Sequence, residues 1–372
     1  MKIFTRTIEE NVKNLLFKGK AILIFGPRQA GKTTLSKKII APYGNDGMYC
    51  NCELVHVRDA FMLGEPEKLR ELIGNKKIVV FDEAQTILNI GAILKTFLDT
   101  YKDVQVIATG SSSFDLANKI NEPLTGRSFE FTLYPLSFAE IYQDTKAPSE
   151  SEFLELLKTG LYPEIVGEDS LVVKQNILKN ITTNYLYKDV FVFESIKNPL
   201  IFENLIKMLA FQIGNIVSVN ELSLSLGVSR ITVEKYLRLL EQAYIIKRVN
   251  TFSRNGRNEL KKAFKIYFID IGVRNAVIDS LASVHTRKDK GAIFENFVFL
   301  ELLKYEVCEP FPGRISFWRT DTKVEIDFIV YKNELPHAIE VKWKQEDVSF
   351  KKFLEVYKDA TTKVVTVSDF VS

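Results

Sequence analysis

Gly26-Pro27-Arg28-Gln29-Ala30-Gly31-Lys32-Thr33 carries the residue types and spacing of a loop that holds phosphate groups. Gly26 and Gly31 admit backbone angles that a side chain would block. Successive N–H groups of such a loop turn inward toward phosphate oxygens. A helix opening near Lys32 would add the positive end of its dipole. Lys32 is then expected to reach the β- and γ-phosphates and the Thr33 hydroxyl to ligate Mg²⁺, with Thr34 next along the binding segment. The flanking elements suit this chemistry. Ala21 to Phe25 (AILIF) is a short apolar run of the kind buried in a parallel sheet. Thr34 to Ile40 (TLSKKII) has apolar positions at helical spacing, giving the order strand, glycine loop, helix.

A phosphate loop needs a carboxylate for its metal. Lys77 to Phe81 (KIVVF) reads as a buried strand ending in Asp82-Glu83. Asp82 fits the Mg²⁺ role, and Glu83 fits a general base that polarises an attacking water. Such a pair separates hydrolysing ATPases from nucleotide kinases, which need no base of this kind. Met48 to Asn51 is another candidate strand, lying between these two motifs, and Val104 to Ala108 is a further one ending in Thr109-Gly110-Ser111-Ser112-Ser113. An additional strand between the phosphate-loop strand and the Asp-Glu strand is the pattern of the additional-strand ATPases. Thr109 or Ser111 would then be a polar sensor near the γ-phosphate; the same hydroxyls would also serve as caps of a following helix. Arg127, in Leu124-Thr125-Gly126-Arg127, precedes the alternating strand Ser128 to Leu133. It is either a residue that reaches a neighbouring subunit's γ-phosphate or a surface arginine paired with a carboxylate.

GPRQAGKTTL, FDEAQ, ATGSSS, LTGR and YPLSFAEIY, in this order, resemble the AAA-type ATPases of bacteria and archaea that carry a C-terminal domain of unknown function. The resemblance continues through YLYKDV, a helix-turn-helix-like stretch, KIYFIDIGVRNA, GAIFENFVFLEL and EIDFIV…AIEVKW, nearly the whole chain. It implies an AAA-like fold, ATP binding and hydrolysis, and Arg127 at the GR position. One departure is that the segment after Pro135 offers GLYPEIV and no lid arginine, so no second sensor is identified.

The 372 residues suffice for two or three domains, and 46% hydrophobic with 26% charged residues is an ordinary globular composition. The net charge of +3 is too small to argue for or against nucleic acid, so any basic patch must be local. No apolar run approaches a membrane span, and the start (MKIFTRTIEENVKNLLF) soon turns acidic and amphipathic, unlike a signal peptide. Cys50, Cys52 and Cys308 form no CxxC pair and read as reduced cysteines of a cytoplasmic protein; His56, His285 and His337 are scattered and receive no ligand role.

Asp144 to Glu152 (DTKAPSESE) reads as a loop leading to helices at Phe153 to Leu157 and Leu171 to Phe193, with Tyr185, Tyr187, Phe191 and Phe193 as lid core. Val219 to Leu226, Gly227, and Ser229 to Leu240 form a helix-turn-helix pattern with Ser218 and Ser229 as N-caps. Tyr244 to Phe252, a turn at Asn255-Gly256, and Phe264 to Ile269 would complete a wing. Arg230, Lys235 and Arg238 on the second helix, with Arg254, Arg257, Lys261 and Lys262 on the wing, suit phosphate contacts of DNA. The same module is also compatible with a structural or protein-binding role.

Toward the C-terminus, Gly291 to Tyr305 reads as an apolar helix carrying Glu295. The strand Val324 to Val330 holds Glu325 and Asp327, and after a turn at Lys332-Asn333-Glu334 comes Ala338-Ile339-Glu340-Val341-Lys342. Residues two apart in a strand share a face, so Glu340 and Lys342 address one site beside Asp327. The set resembles the PD-(D/E)xK nuclease core. Asp327 and Glu340, with Glu295, would bind Mg²⁺, and Lys342 would stabilise developing charge. The other reading is a buried ion network.

The expected architecture is α/β. It comprises an AAA-like P-loop NTPase sheet domain (residues 1–143), a helical lid or linker (144–200), a winged helix (201–270) and a C-terminal α/β restriction-endonuclease-like domain (271–372). The expected function is a Mg²⁺-dependent, AAA-type ATPase acting as a conformational switch, with DNA as a candidate partner and homo-oligomerisation through Arg127. An ATP-regulated metal-dependent nuclease and a non-catalytic DNA- or protein-binding scaffold holding ATP structurally are the alternatives.

Overall fold

The computed structural model describes residues 2–62, 64–111, 124–143, 145–183, 196, 198–253 and 263–372. Ser112, Ser113, the YLYKDV stretch with Tyr185 and Tyr187, Phe191, Phe193, Arg254, Asn255, Gly256, Arg257, Lys261 and Lys262 lie outside the described residues. The chain divides into two compact units. One comprises Ile3–Leu136 with Gln242–Tyr244; the other comprises Ser137–Glu241 and Ile245–Ser372, together with Lys2.

In the first unit the apolar runs become a parallel sheet: β1 (Ala21–Phe25), β2 (Gly47–Asn51), β3 (Ile78–Asp82), β4 (Gln105–Gly110) and β5 (Ser128–Thr132), in the order β2-β3-β4-β1-β5. β1, β3 and β4 are buried at every position, as strands covered on both faces must be. The strand inserted between β1 and β3 is β4; β2, which holds Met48 to Asn51 and falls between the two motifs in sequence, lies instead at the edge beyond β3, because it pairs with β3 alone. Leu23 and Phe25, Val79 and Phe81, and Val106 and Ala108 belong to one core with Val57, Phe61, Leu69, Ile73, Leu94 and Phe97 from the helices Val55–Met62, Pro66–Ile73 and Ile90–Thr100. Phe61 meets Phe81 edge to face at 5.0 Å.

The parallel arrangement has a functional consequence. All five strands end at one edge of the sheet, which gathers the residues following β1, β3 and β4. Ala21 is in register with Ser128, so Arg127 lies at the opposite edge, one strand length (roughly 16 Å) from the residues after Phe25.

The second unit begins with helices Phe138–Tyr142, Glu150–Thr159, Pro163–Val166 and Leu171–Thr183. The segment expected to be a loop through Glu152 turns helical at Glu150. The Ser149 hydroxyl accepts from the Glu152 N–H at 3.4 Å and the Glu152 carboxylate accepts from the Ser149 N–H at 2.8 Å, a reciprocal cap that opens the helix early. Next come helices Pro199–Phe211, Val219–Leu226 and Arg230–Gln242, with β6 (Ile216–Val217), β7 (Ile246–Asn250) and β8 (Phe264–Phe268) in an antiparallel sheet of order β6-β8-β7. Ser218 and Ser229 accept from the N–H groups of Glu221 and Thr232, at 3.3 and 3.1 Å, and Gly227 adopts φ 66° at the turn.

Helices Ile271–Val277 and Lys290–Cys308 lead to β9 (Arg314–Arg319), β10 (Glu325–Lys332), β11 (Leu335–Lys342) and β12 (Thr361–Thr366), a mixed sheet of order β12-β11-β10-β9. Asn333 and Glu334, both at positive φ, form the two-residue turn between β10 and β11. The parts of this unit are stitched together. Asp270 accepts from the N–H groups of Leu161 and Val273, and Asn275 donates to the carbonyls of Leu157 and Lys158. A Cβ on Gly272 would stand 2.1 Å from the Thr159 carbonyl oxygen, so glycine alone permits this approach. Phe153 stacks on Phe370 and meets Phe297 edge to face, joining the early helices to the last residues. The Phe252 N–H donates to the Phe317 carbonyl at 2.5 Å, joining the three-stranded sheet to β9.

Candidate functional site

The turn after β1 is built around Gly26. Its φ of 147° suits glycine, and a Cβ there would meet the Leu133 carbonyl oxygen at 2.1 Å. Gly31, at φ 98°, precedes the helix Lys32–Ile40. Pro27 and Ala30 are buried, Arg28 and Gln29 exposed, and Gln29 has φ 60°. The buried Lys32 ammonium donates to the carbonyls of Gly26 and Pro27, both at 2.8 Å, which holds it over the loop. Thr33 and Thr34 follow in the first helical turn, both half-buried.

Asp82 is the meeting point of the edge. It is 3% exposed, and its Oδ2 accepts from the Thr33 hydroxyl at 2.7 Å and from the Tyr49 phenol at 2.5 Å. Its Oδ1 accepts from the Thr109 hydroxyl. Thr109 also accepts from the Glu83 N–H at 3.3 Å, so one hydroxyl ties the two acidic residues together. Glu83 sits at φ 53°, a left-handed conformation that costs a non-glycine residue energy and recurs at functional sites. The Gln85 amide donates to the Glu83 carboxylate and, at 3.1 Å, to the Ser111 hydroxyl. The expected residues Lys32, Thr33, Asp82, Glu83, Thr109 and Ser111 thus converge on one sheet edge. Arg127 stands apart from them, its Nε donating to Asp99 at 2.9 Å on the exposed surface.

Three participants escaped the sequence reading. Arg6 is buried and donates to the carbonyls of Ala30 (2.7 Å) and Tyr134 (2.6 Å), clamping the phosphate loop. Tyr49 comes from edge strand β2, with the Lys37 ammonium 4.2 Å from its ring centre. Burial, and then its bond to Asp82, raise the phenol above its ordinary range and keep it a donor. Gln85 was part of the FDEAQ motif but had no role assigned. Cys50 and Cys52 are buried free thiols, and burial pushes Cys50 up to about 11.

A family model described as an AAA domain matches residues 18–142. Residues 18–142 are an AAA-type P-loop domain. The remainder of the chain matches two domains of unknown function, DUF8612 at residues 150–283 and DUF4143 at residues 290–370. An uncharacterized protein of Methanocaldococcus jannaschii is 28% identical, the match covering 98% of this chain and 86% of that protein. One of Mycobacterium tuberculosis is 27% identical over 92% of this chain and 74% of its own length. Among solved structures, the Walker-type ATPase of Pyrococcus abyssi has the same fold. Its TM-score is 0.52 at 16% identity, covering 74% of this chain and 96% of that one. No helix among the described residues is long and apolar enough to cross a membrane.

Beyond the AAA domain, the C-terminal carboxylates gather around a lysine that the sequence reading did not single out. Lys265 and Tyr267 share a face of β8. Lys265 is 1% exposed; its ammonium lies 2.7 Å from Glu325, 3.2 Å from Glu295 and 4.0 Å from Asp327. The Tyr267 phenol donates to Glu295 at 2.6 Å. The second oxygen of Asp327 accepts from the Val341 N–H at 2.9 Å, and Lys342 donates to Glu340 at 3.0 Å. Burial pushes Glu295 up to about 7, with Lys265 opposing the rise; burial and then Asp327 push Glu340 up to about 7. Among the described residues, no set of three or more His, Cys, Asp or Glu side chains is arranged to hold a metal ion. Glu295 and Asp327 face the Lys265 ammonium, and Glu340 pairs with Lys342.

Proposed function

We propose that the chain is a Mg²⁺-dependent ATPase that works as a conformational switch and contacts DNA. The observation that supports hydrolysis is the single sheet edge shared by Lys32, Thr33, Asp82 and Glu83. The loop amides and the helix end bind the triphosphate, and Lys32 neutralises the β- and γ-phosphate oxygens. Residues Gly26 through Thr34 form that cradle. Thr33 and Asp82 offer adjacent hard oxygen donors, which fit Mg²⁺ bound through one or two protein groups and substrate phosphates. The ion supplies charge neutralisation at the phosphates. Glu83 takes a proton from the attacking water, and Thr109, Gln85 and Ser111 fix its position. Arg127 lies a strand length from its own chain's loop, so a role at a γ-phosphate requires a second copy of the chain.

DNA contact is supported by the helix Arg230–Gln242, on which Arg230, Lys235 and Arg238 are exposed. The preceding helix and the capped turn give the arrangement of a helix-turn-helix, and the three-stranded sheet beside it gives a winged-helix reading. The test is ATP turnover with and without duplex and single-stranded DNA, with product gels on the same samples. Turnover stimulated by DNA is expected, with the stimulation weakened by salt and lost on reversing the charges of Arg230 and Arg238. No turnover with any nucleic acid would sink hydrolysis and leave a scaffold holding ATP.

Tyr49→Phe provides a finer check. It removes one of three donors to Asp82 and keeps the ring under Lys37. A single lost hydrogen bond to a charged group predicts roughly a tenfold rise in the Mg²⁺ concentration that half-saturates turnover. An unchanged Mg²⁺ dependence would show that the phenol does not orient the carboxylate.

A further inference from the structure

The C-terminal cluster has the acidic residues of a metal-dependent nuclease but not the arrangement. Three carboxylates converge on one point, and Lys265 Nζ stands at that point. We propose that the Lys265 ammonium is the resident cation of this cluster, so that the module binds no divalent metal there and does not cleave phosphodiesters by metal-assisted hydrolysis.

The geometry supports this in three respects. First, the 2.7 Å to Glu325 is the length of a charge-assisted hydrogen bond, and the 3.2 Å to Glu295 is within the ordinary N–H···O range. A Mg²⁺ ion placed among the same oxygens would stand beside the ammonium, with like charges opposed. Second, the lysine has no route out. It is 1% exposed on a strand whose next three residues are also buried, and its ammonium lies 5.4 Å from the ring centre of Phe317, itself buried. Third, the charges are close to balanced. Lys265, Lys342 and Arg319 face Glu295, Glu325, Asp327 and Glu340, with Arg319 3.7 Å from Glu325 and Lys342 on Glu340. A divalent ion would turn this small negative excess into a positive one, beside an ammonium that is itself buried.

The lysine comes from β8, in the three-stranded sheet, while its partners lie on the helix Lys290–Cys308 and on β10. The ammonium thus joins that sheet to the carboxylate sheet. The inference does not depend on the ATPase reading.

The test is Mn²⁺ binding to the full chain without nucleotide, followed by electron paramagnetic resonance in an Asp82→Ala background that silences the phosphate-loop site. With Lys265 intact, no Mn²⁺ that depends on Asp327 is expected. Lys265→Ala is expected to gain a Mn²⁺ site at least about tenfold tighter than any residual binding, and Asp327→Asn to remove it. Circular dichroism establishes that the variants are folded. Mn²⁺ binding by the Lys265 chain that Asp327→Asn abolishes would overturn the proposal, as would a folded Lys265→Ala chain that gains no ion. If Lys265→Ala does not fold, the comparison of the Lys265 chain with Asp327→Asn decides alone: equal Mn²⁺ binding supports the proposal and a loss overturns it.

Discussion

Lys32→Ala is expected to weaken Mg-ATP binding by at least about a hundredfold, since hydrogen bonds between charged groups contribute roughly 1.5–3 kcal/mol each and this ammonium would serve two phosphates. The side chain is buried and held over the loop by the carbonyls of Gly26 and Pro27, so its charge is delivered at a fixed place. Alanine keeps the loop amides and the helix dipole but removes the positive charge held at the centre of the loop motif. The variant also leaves two loop carbonyls without this donor, so a modest loss of stability accompanies the loss of affinity. Isothermal titration calorimetry with Mg-ATP, together with a thermal unfolding control, measures both. Parental affinity in a folded Lys32→Ala chain would refute the role given to the ammonium.

Glu83→Gln is expected to behave in the opposite way. Its backbone N–H still donates to Thr109, and an amide of the same shape replaces the carboxylate beside Gln85. Binding should therefore persist. The amide has no basic oxygen at neutral pH, and loss of a general base lowers turnover by roughly 10²–10⁴-fold. Single-turnover hydrolysis with binding measured on the same preparation separates the two effects. Turnover equal to the parent would assign the base elsewhere.

Local pattern made some of this site legible. The phosphate loop is contiguous, so its glycines, lysine and threonine could be named without knowing what packs around them. Asp82-Glu83 could be placed because a continuous apolar strand must run through the sheet and present its next residues at one edge. Arg6 and Tyr49 gave no such signal. Arg6 reaches Tyr134, 128 positions along the chain, and Tyr49 reaches Asp82 only because edge strand β2 pairs with β3. The start of the helix at Glu150 was missed for a different reason. Pro, Ser and Glu resemble a loop in composition, and the reciprocal cap between Ser149 and Glu152 outweighed that resemblance.

The C-terminal cluster marks the boundary most clearly. The sequence alone determined that Asp327 would lie beside a strand carrying Glu340 and Lys342, because alternation along strands and a tight turn follow from local geometry. It equally determined the phosphate loop and the apolar strand leading into it. Only the tertiary structure decided what cation the carboxylates face. Lys265 precedes Glu325 by sixty positions and reads as one more basic residue near a wing, yet β8 packs so that its ammonium points at Glu295, Glu325 and Asp327. A one-dimensional pattern records which charges a chain possesses. Which opposite charges meet away from water is settled when distant strands and helices pack, because a buried carboxylate must find a partner there.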